Sequence, residues 1–377
     1  MDPALIMHQA FWRDAMPIWL GVDEPPCDFA GEELQSCVMF QTSGSSGRPK
    51  WVALKKTALL HSAAAVNAHL RVNSQSRWAL ALPIHHVGGF GVACRAYLTG
   101  AQLAVFQQRW QPRAFADWLD AEKSTHTSLV PTQIHDLVVQ QITAPASLNA
   151  VVVGGGLLDS ATGQAARELG WPVLASYGMT EAASQIATQS IDALEKIYQP
   201  FPLRVLPHWK VETNHEMRIS IGGPALFHGF VEIDSSGDIH FAPAGPLYLT
   251  QDCGDFSNNQ FFSITRTDAC VKILGELLDP RQIEQKLAAW ANVNAPSSSW
   301  AVIPLPDRRT GHRLALAYEA PIAEEHIANL LEKYNAQATG YARIHQSIRL
   351  DRLPRVGALG KISYSQLIAQ CEALSAE

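Results

Sequence analysis

The chain has 377 residues, which is enough for two domains, one of them with a substantial core. Apolar residues make up 47% of it and charged residues 17%, a composition that excludes a disordered protein. The formal charge of −6 and a sequence pI near 6.2 argue against a nucleic-acid partner.

Apolar runs alternate with helix-like stretches through the first two thirds of the chain. Strands are predicted, in chain order, at 78–82, 102–106, 128–130, 150–153 and 173–176. Helices are predicted between and around them at 89–98, 112–122, 132–141 and 160–169. This rhythm predicts an α/β fold with right-handed crossovers and a mostly parallel sheet covered by helices.

The pattern changes twice in the last third of the chain. From about Arg204 it becomes short strands, predicted at 218–221, 227–233 and 238–241 with a hairpin turn at 235–238, so we expect a small β subdomain. A compact α+β module follows, with helices at 281–291 and 323–335 and strands at 300–304, 314–318 and 347–350. We therefore predict a large N-terminal domain over 1–267 and a small C-terminal domain over 268–377.

A loop at 41–50 is rich in hydroxyls and glycine and follows the apolar run 37–40. Glycines let the backbone approach a ligand and turn its N–H groups inward, while hydroxyls and a lysine add donors, so the loop suits a polyphosphate. The spacing does not fit a Walker A loop, and a surface turn is the alternative interpretation. The residues concerned are Thr42, Ser43, Gly44, Ser45, Ser46, Gly47 and Lys50.

Five further segments follow this loop in a fixed order. They read LPIHHVGG at 82–89, VGGG at 153–156, SYGMTE at 176–181, YLTQD at 248–252, and LPR at 353–355 leading to GKI at 360–362. Together the six segments resemble the adenylate-forming superfamily of acyl-CoA synthetases, luciferases and peptide-synthetase adenylation domains. The resemblance covers roughly residues 37–370. It implies activation of a carboxylic acid by ATP as an acyl-adenylate, followed by transfer to coenzyme A.

The resemblance also implies catalytic and nucleotide-binding roles. Lys361 corresponds to the lysine that bridges the carboxylate and the α-phosphate, where two anions meet and a cation is needed. Glu181 is expected to hold Mg²⁺, because a hard cation prefers carboxylate oxygen, and Thr180 to offer its hydroxyl to the α-phosphate. Asp252 corresponds to the ribose-binding aspartate, and Arg266 to a second contact with the ribose or phosphate.

Some of these residues also admit a structural interpretation. The pair at 180–181 could be an N-cap and first turn before a helix predicted over 182–189, although such a helix start would itself favour phosphate. The glycines after the strand at 150–153 could be only a tight turn. The resemblance assigns them to the adenine slot, which would comprise Gly154, Gly155, Gly156, Ser176, Tyr177 and Gly178.

His85 and His86 invite a rival interpretation as the motif H-H-x-x-x-D-G of acyltransferases and condensation domains. Phe90 replaces the aspartate of that motif, which weakens the rival. The resemblance instead makes His86 a catalytic and substrate-binding candidate that lines the acyl pocket with Gly88. A metal role for the pair is disfavoured, since neighbours on a strand point to opposite faces.

Two segments, 78–106 and 128–133, most resemble the o-succinylbenzoate–CoA ligases of menaquinone biosynthesis. Their acid carries two carboxylates, one activated and one that needs a fixed cation. Arg95 lies within a predicted apolar helix, where a lone charge is costly unless it is paired. A substrate carboxylate would pair it, as the resemblance implies, and an internal salt bridge is the alternative.

Departures from the family pattern keep other functions open. Three motif glycines are replaced, by Gln251, Thr265 and Leu274, and only 40 residues precede the phosphate loop where family members carry a hundred or more. This predicts a shortened N-terminal scaffold. The alternatives are another aryl- or acyl-CoA ligase, a stand-alone adenylation enzyme, or a non-catalytic remnant.

The family's hinge between domains, about which the small domain rotates between steps, corresponds to Asp268.

The cysteines and the apolar runs predict a cytoplasmic protein. The six cysteines form no C-x-x-C pair and no zinc spacing, which suits a reducing compartment. The segment 1–10 lacks the basic start of a signal peptide, and no apolar run reaches about 18 residues, so no membrane span is predicted. The expected partners are small molecules, and the oligomeric state stays open.

Overall fold

The structure, a computed structural model, describes the chain in nine stretches. They are 1–21, 32–43, 49–234, 238–266, 271–273, 276–290, 299–307, 310–356 and 361–375. The chain divides into two compact units, Met1–Ile264 and Thr265–Glu377. None of the helices in these stretches is long and apolar enough to cross a bilayer.

The described part of the first unit contains helices α1–α6 and strands β1–β17. The helices are α1 Gln9–Arg13, α2 Lys56–His69, α3 Val87–Thr99, α4 Pro112–Ala121, α5 Pro131–Val139 and α6 Ser160–Glu168. The strands up to the central region are β1 Ile18–Leu20, β2 Cys37–Ser43, β3 Pro49–Lys55, β4 Arg77–Leu80, β5 Gln102–Val105, β6 His126–Leu129, β7 Ala150–Val153, β8 Val173–Met179 and β9 Ser184–Thr188. The remaining strands are β10 Leu203–Val205, β11 Lys210–Thr213, β12 Arg218–Gly222, β13 Gly229–Ile233, β14 Ile239–Pro243, β15 Tyr248–Cys253, β16 Phe256–Ser257 and β17 Gln260–Phe261.

Nine of these strands form one sheet, the central sheet, in the order β16-β17-β10-β9-β8-β7-β6-β4-β5. Strands β5, β4, β6, β7 and β8 are parallel, and each of them except β8 is followed in sequence by an α-helix, so the predicted helix-covered parallel sheet is confirmed. Strands β9, β10, β17 and β16, in this order outward from β8, extend the sheet in antiparallel pairings. Because parallel strands end at one edge, the segments after β6, β7 and β8 meet there.

The helix predicted over 182–189 is wrong. Thr180–Ala182 forms a single 3₁₀ turn, and Ser184–Thr188 is strand β9, paired with β8 on one side and β10 on the other. The alanines of this stretch favour a helix, but pairing on both sides within the buried sheet overrides that preference.

A second sheet carries the predicted phosphate loop, in the order β1-β2-β3-β13-β14. Strands β2 and β3 form a hairpin in which Thr42 pairs with Lys50. The predicted β subdomain is divided: β13 and β14 complete this second sheet, whereas β12 pairs with β11 and β15. The division has a packing reason, because Val231 of β13 is fully buried against Trp19 and Trp51. The turn predicted at 235–238 lies mostly outside the described residues.

Helix α3 is pressed against the segment that precedes it. A Cβ on Gly89 would lie 2.3 Å from the carbonyl oxygen of Pro83, so the position requires a glycine. This close approach fixes the start of α3 beside the turn that carries His85 and His86.

The second unit is built on a three-stranded sheet, β21-β22-β23. Its described elements are β18 Thr265–Arg266, β19 Val271–Ile273, β20 Glu276–Leu278, α7 Pro280–Trp290, β21 Trp300–Asp307, β22 Gly311–Glu319, α8 Glu324–Asn335, β23 Ile344–Leu350, β24 Arg355–Val356, β25 Lys361–Ile362 and α9 Tyr364–Ser375. Alternate residues of β21 face two cores: Val302 packs with α7 and α8, and Ile303 packs with α9. Both faces of this sheet are therefore covered by helices.

Candidate active site

The turn after β7 contains the three consecutive glycines. The N–H of Gly154 donates to the carbonyl of Leu129 at 3.2 Å, and Gly155 has φ +74°, a conformation that favours glycine. Gly155 and Gly156 are exposed. The segment is thus a tight turn that also presents bare backbone at the carboxyl edge of the sheet, as an adenine slot requires.

Two residues assigned to the nucleoside lie in direct contact. The hydroxyl of Tyr177 donates to Oδ2 of Asp252 at 2.7 Å, and the Tyr177 ring meets Phe261 edge-on with centroids 5.5 Å apart. Burial, followed by the neighbouring Asp252 carboxylate, raises the pKa of Tyr177 well above its usual value. The phenol therefore stays protonated and donates to a carboxylate that is itself only 9% exposed.

The turn that carries Thr180 and Glu181 has an unusual backbone. Ala183 (φ +48°) and Ser184 (φ +103°) follow it in left-handed conformations, which are costly for residues other than glycine. Thr180 and Glu181 offer hydroxyl and carboxylate oxygens, a donor set that fits Mg²⁺. The turn spans only three residues, so the anion-binding argument from a helix start does not apply.

Gly178 has a steric role beside this turn. A Cβ at position 178 would lie 1.6 Å from the carbonyl oxygen of Ser184, where β8 and β9 shift register. The strand pair can close only around a glycine, which places the 180–181 turn at the end of β8.

The predicted phosphate loop is described only at its margins. Gly44, Ser45, Ser46 and Gly47 lie outside the described residues, and Thr42 is placed as part of β2. The ammonium of Lys50 lies 3.5 Å from Oε1 of Glu232 and 3.7 Å from the ring centroid of Phe230. Because Glu232 is opposite Lys50 in the β3–β13 register, this pair is built into the sheet.

Arg95 is one of the buried basic residues of the first unit. It is 1% exposed in α3, where Nη1 donates to the Ser128 hydroxyl at 3.2 Å and Nη2 to the Ser184 hydroxyl at 3.3 Å. Among the residues that the structure describes, its buried Nε has no hydrogen-bond partner. No ion pair to Arg95 is found within the described stretches, so the predicted alternative of an internal salt bridge finds no support there.

The environment of Arg95 lowers its pKa to about 10 through burial. The guanidinium carbon lies 5.4 Å from the Trp78 ring centroid, a cation–π distance. A Cβ on Gly91 would come within 3.1 Å of Nη2, so the helix leaves room for the side chain. Even with a lowered pKa, the guanidinium is charged at neutral pH.

His85 and His86 lie in the turn before α3. The prediction against a metal role assumed that they lie on a strand, and this assumption is wrong. Their ring centroids are 4.5 Å apart. Partial burial, followed by the neighbouring His85, lowers the pKa of His86, so its ring is neutral at pH 7. The described residues contain no group of three or more metal-binding side chains. Gly88 lies in the first turn of α3 beside Leu82.

The second unit holds the other predicted residues. Arg266 is exposed in β18, and Lys361 is the first residue of β25, opposite Val356. Asp268 lies outside the described residues.

The partners of Arg95 could not be predicted from the sequence. Ser128 and Ser184 are 33 and 89 positions away and lie on β6 and β9, and an isolated serine in a strand carries no signal of its own. The cost of burying a lone arginine predicted an anionic partner, either a substrate carboxylate or an internal salt bridge, and not these serine hydroxyls.

This fold and this edge of the sheet define a class of protein. The family described as AMP-binding enzyme matches residues 11–229, and the chain belongs to it.

Curated relatives narrow the comparison. The 2-succinylbenzoate–CoA ligase of Escherichia coli K12 is 29% identical over 277 residues, which cover 74% of this chain and 57% of that protein. The enzyme of the same name from Bacillus subtilis 168 is 26% identical over 350 residues, covering 88% of this chain and 68% of the relative. The chain therefore spans about three fifths to two thirds of these relatives' length.

Solved structures share the fold. The o-succinylbenzoate coenzyme A synthetase of Bacillus subtilis in complex with the acyl-adenylate OSB-AMP superposes with a TM-score of 0.72 at 24% identity, covering 88% of this chain and 68% of that one. The same enzyme in complex with ATP and a magnesium ion superposes with a TM-score of 0.72 at 24% identity, covering 88% of this chain and 69% of that one. The predicted adenylate-forming fold is confirmed.

Proposed function

We propose that the chain is an AMP-forming acid–thiol ligase that activates o-succinylbenzoate with ATP and transfers it to coenzyme A, a step of menaquinone biosynthesis. Membership of the AMP-binding enzyme family supports the adenylating chemistry. The names of the curated relatives support the choice of acid and of coenzyme A.

The observation that carries the choice of acid is the state of Arg95. Among the described residues, this buried guanidinium is held by two serine hydroxyls and an aromatic ring and has no carboxylate partner, so its charge is uncompensated there. Such a charge is strongly unfavourable unless an anion joins it. A dicarboxylic aromatic acid supplies that anion with the carboxylate that is not activated, and the Trp78 ring offers an apolar surface beside it.

The first step is an attack of the activated carboxylate on the α-phosphorus of ATP, with pyrophosphate leaving. Asp252, held by Tyr177, is suited to accept hydrogen bonds from the ribose hydroxyls. The 154–156 turn is suited to lie against the adenine ring. Mg²⁺, when bound through Glu181, supplies charge neutralisation at the phosphates. Lys361 would stabilise the charge that develops where carboxylate and α-phosphate meet.

The second step is attack of the coenzyme A thiolate on the acyl carbonyl, which releases AMP. We propose that the domains 1–267 and 268–377 change orientation about Asp268 between the steps, as the resemblance implies. We also propose a cytoplasmic location and small molecules as the only ligands. The net charge of −6 argues against nucleic acid as a further ligand, and cysteines without a C-x-x-C pair suit a reducing compartment.

A pyrophosphate-release assay tests the proposal across o-succinylbenzoate, benzoate and a fatty acid, with coenzyme A consumption followed in parallel. The proposal predicts that o-succinylbenzoate gives the highest kcat/KM and that acyl-CoA accumulates. Preference for another acid would make the chain a different acyl-CoA ligase. Pyrophosphate release without use of coenzyme A would indicate a stand-alone adenylation enzyme, and no release with any acid would indicate a non-catalytic remnant.

A further inference from the structure

Two carboxylates of the second unit, the half-buried Glu284 and the buried Glu319, hold the chain on either side of β25. Glu284, on α7, accepts hydrogen bonds from the Tyr364 hydroxyl at 2.7 Å to Oε2 and 3.0 Å to Oε1. Tyr364 opens α9, three positions after Lys361. The same carboxylate accepts the backbone N–H of Val302 on β21 at 2.6 Å, so it connects α7, α9 and the sheet.

The second carboxylate acts on β24, the partner strand of β25. Glu319, 8% exposed at the end of β22, accepts the N–H of Leu353 at 2.6 Å and Nη1 of Arg355 at 3.0 Å. It also pairs with Nη2 of Arg355, and this charged hydrogen bond holds the pKa of Glu319 below its usual value. Arg355 belongs to β24, so that strand is tied to the central strand of the unit.

The two strands are also tied to each other. The N–H of Ser363 donates to the carbonyl of Pro354 at 2.8 Å, and Arg355 pairs with Ile362 in the β24–β25 register. Within the described residues, β24 and β25 are two residues long each, too short a pairing to hold its own geometry. Its position must come from the residues that flank it.

We infer that Glu284, through Tyr364, is a positioning residue for Lys361, with Glu319 and Arg355 fixing the opposite strand. Lys361 lies between these two attachments, and a displacement of about 1 Å of a catalytic group can cost roughly a hundredfold in rate. This inference rests on the role proposed above for Lys361, which serves the adenylation step only.

The variant Tyr364→Phe tests the inference that Glu284 positions Lys361. The substitution removes the hydroxyl and keeps the ring, whose centroid lies 4.8 Å from the Arg281 guanidinium carbon. Adenylation should fall by roughly tenfold or more, whereas thioester formation from supplied acyl-adenylate stays within about twofold. Glu284→Ala should behave in the same way. Glu284→Gln should retain most of the rate, because its amide oxygen can still accept both hydrogen bonds.

Tyr334→Phe is the matched control. It removes another buried hydroxyl of the same unit, which donates to the carbonyl of Ala342 at 3.0 Å, away from the hairpin. Both half-reactions should persist in it. Equal loss of both half-reactions in Tyr364→Phe would overturn the inference and leave a purely structural pair.

Amide hydrogen exchange at Ser363 gives a readout that needs no turnover. Tyr364→Phe should accelerate exchange of this N–H, and Tyr334→Phe should not. Unchanged exchange in Tyr364→Phe would overturn the inference whatever the acid. A parent that releases no pyrophosphate, with exchange altered as expected, would instead refute the proposed function while the attachment of the hairpin stands.

Discussion

The hydroxyl of Tyr177 and the carboxylate of Asp252 meet at 2.7 Å across 75 positions of sequence. The contact joins β8 of the central sheet to β15, and it brings together the residues that the motifs assign to adenine and to ribose. The phenol remains protonated, because burial and the adjacent carboxylate raise its pKa. It can therefore orient Asp252 toward a second set of donors, the hydroxyls of a nucleoside.

Asp252→Asn should raise the KM for ATP by roughly tenfold or more and leave the KM for the acid nearly unchanged, since a hydrogen bond to a charged acceptor contributes about 1.5–3 kcal/mol. Tyr177→Phe should raise the KM for ATP less, because the Asp252 carboxylate persists. Initial-rate kinetics with each substrate varied measure both effects. Tyr198→Phe is the control, as it removes a buried hydroxyl that bonds only the carbonyl of Leu158 in the described structure. A rise in the acid KM alone would move Asp252 out of the nucleotide site.

Lys361→Ala should reduce adenylation by roughly a hundredfold or more, because the group acts mainly on charge that develops in the transition state. Thioester formation from supplied acyl-adenylate should be largely intact. Single-turnover measurement of each half-reaction separates the two. Lys333→Ala, a lysine of α8 whose ammonium lies 5.3 Å from the Trp290 ring centroid, serves as the control. Parallel loss in both half-reactions would assign Lys361 a different role.

Asp268→Pro should impair one half-reaction far more than the other, because proline fixes φ and would trap one orientation of the proposed domains. Asp268→Ala, which keeps φ free, should support both steps. The same single-turnover assays compare the variants. Similar rates for both steps in the proline variant would place the hinge elsewhere.

Glu284 should make stability depend on pH. Burial raises its pKa to about 7, against the lowering effects of the Tyr364 and Val302 hydrogen bonds and of Arg281, while Asp279 raises it further. The folded state therefore binds the proton more tightly than the unfolded state, and stability falls as pH rises from about 4.5 through about 7.

Glu284→Gln removes this titration. Relative to the parent, the variant should gain about 2–3 kcal/mol in the free energy of unfolding between about pH 4.5 and about pH 8. Urea titrations of both proteins across this range measure the difference. Parallel pH profiles would mean that Glu284 titrates near its ordinary pKa.

The parallel half of the central sheet could be predicted because its strands are apolar runs separated by helix-length segments, from Trp78 to Ser176. The alanine-rich stretch at 182–189 misled the prediction, since its strand conformation depends on neighbours on both sides. Motif order assigned the residues proposed to bind the nucleotide. It could not reveal that Tyr177 bonds Asp252, because hydrogen bonds between distant segments depend on how the sheets pack.

The surroundings of Arg95, the proposed acid site, show the same limit more clearly. Arg95 was predictable as a costly lone charge, but its serine partners come from β6 and β9, which sequence spacing does not bring together. Likewise, strand propensity predicted β12 and β13 but not that they join different sheets. Candidate functional residues could be predicted where a residue type is rare in its surroundings, such as an arginine in an apolar helix. They could not be predicted where common residues from distant segments come together.

The ratio of kcat/KM for o-succinylbenzoate to that for benzoate, measured in the parent and in Arg95→Leu, tests the central claim most directly. The parent should prefer o-succinylbenzoate, and the variant should lose roughly 2–5 kcal/mol of that preference, the scale for removing one partner of a buried charge pair. The benzoate rate serves as an internal control for folding, because benzoate has no second carboxylate to leave unpaired. A parent that prefers benzoate would contradict the choice of acid, and an unchanged ratio in the variant would make Arg95 a structural residue.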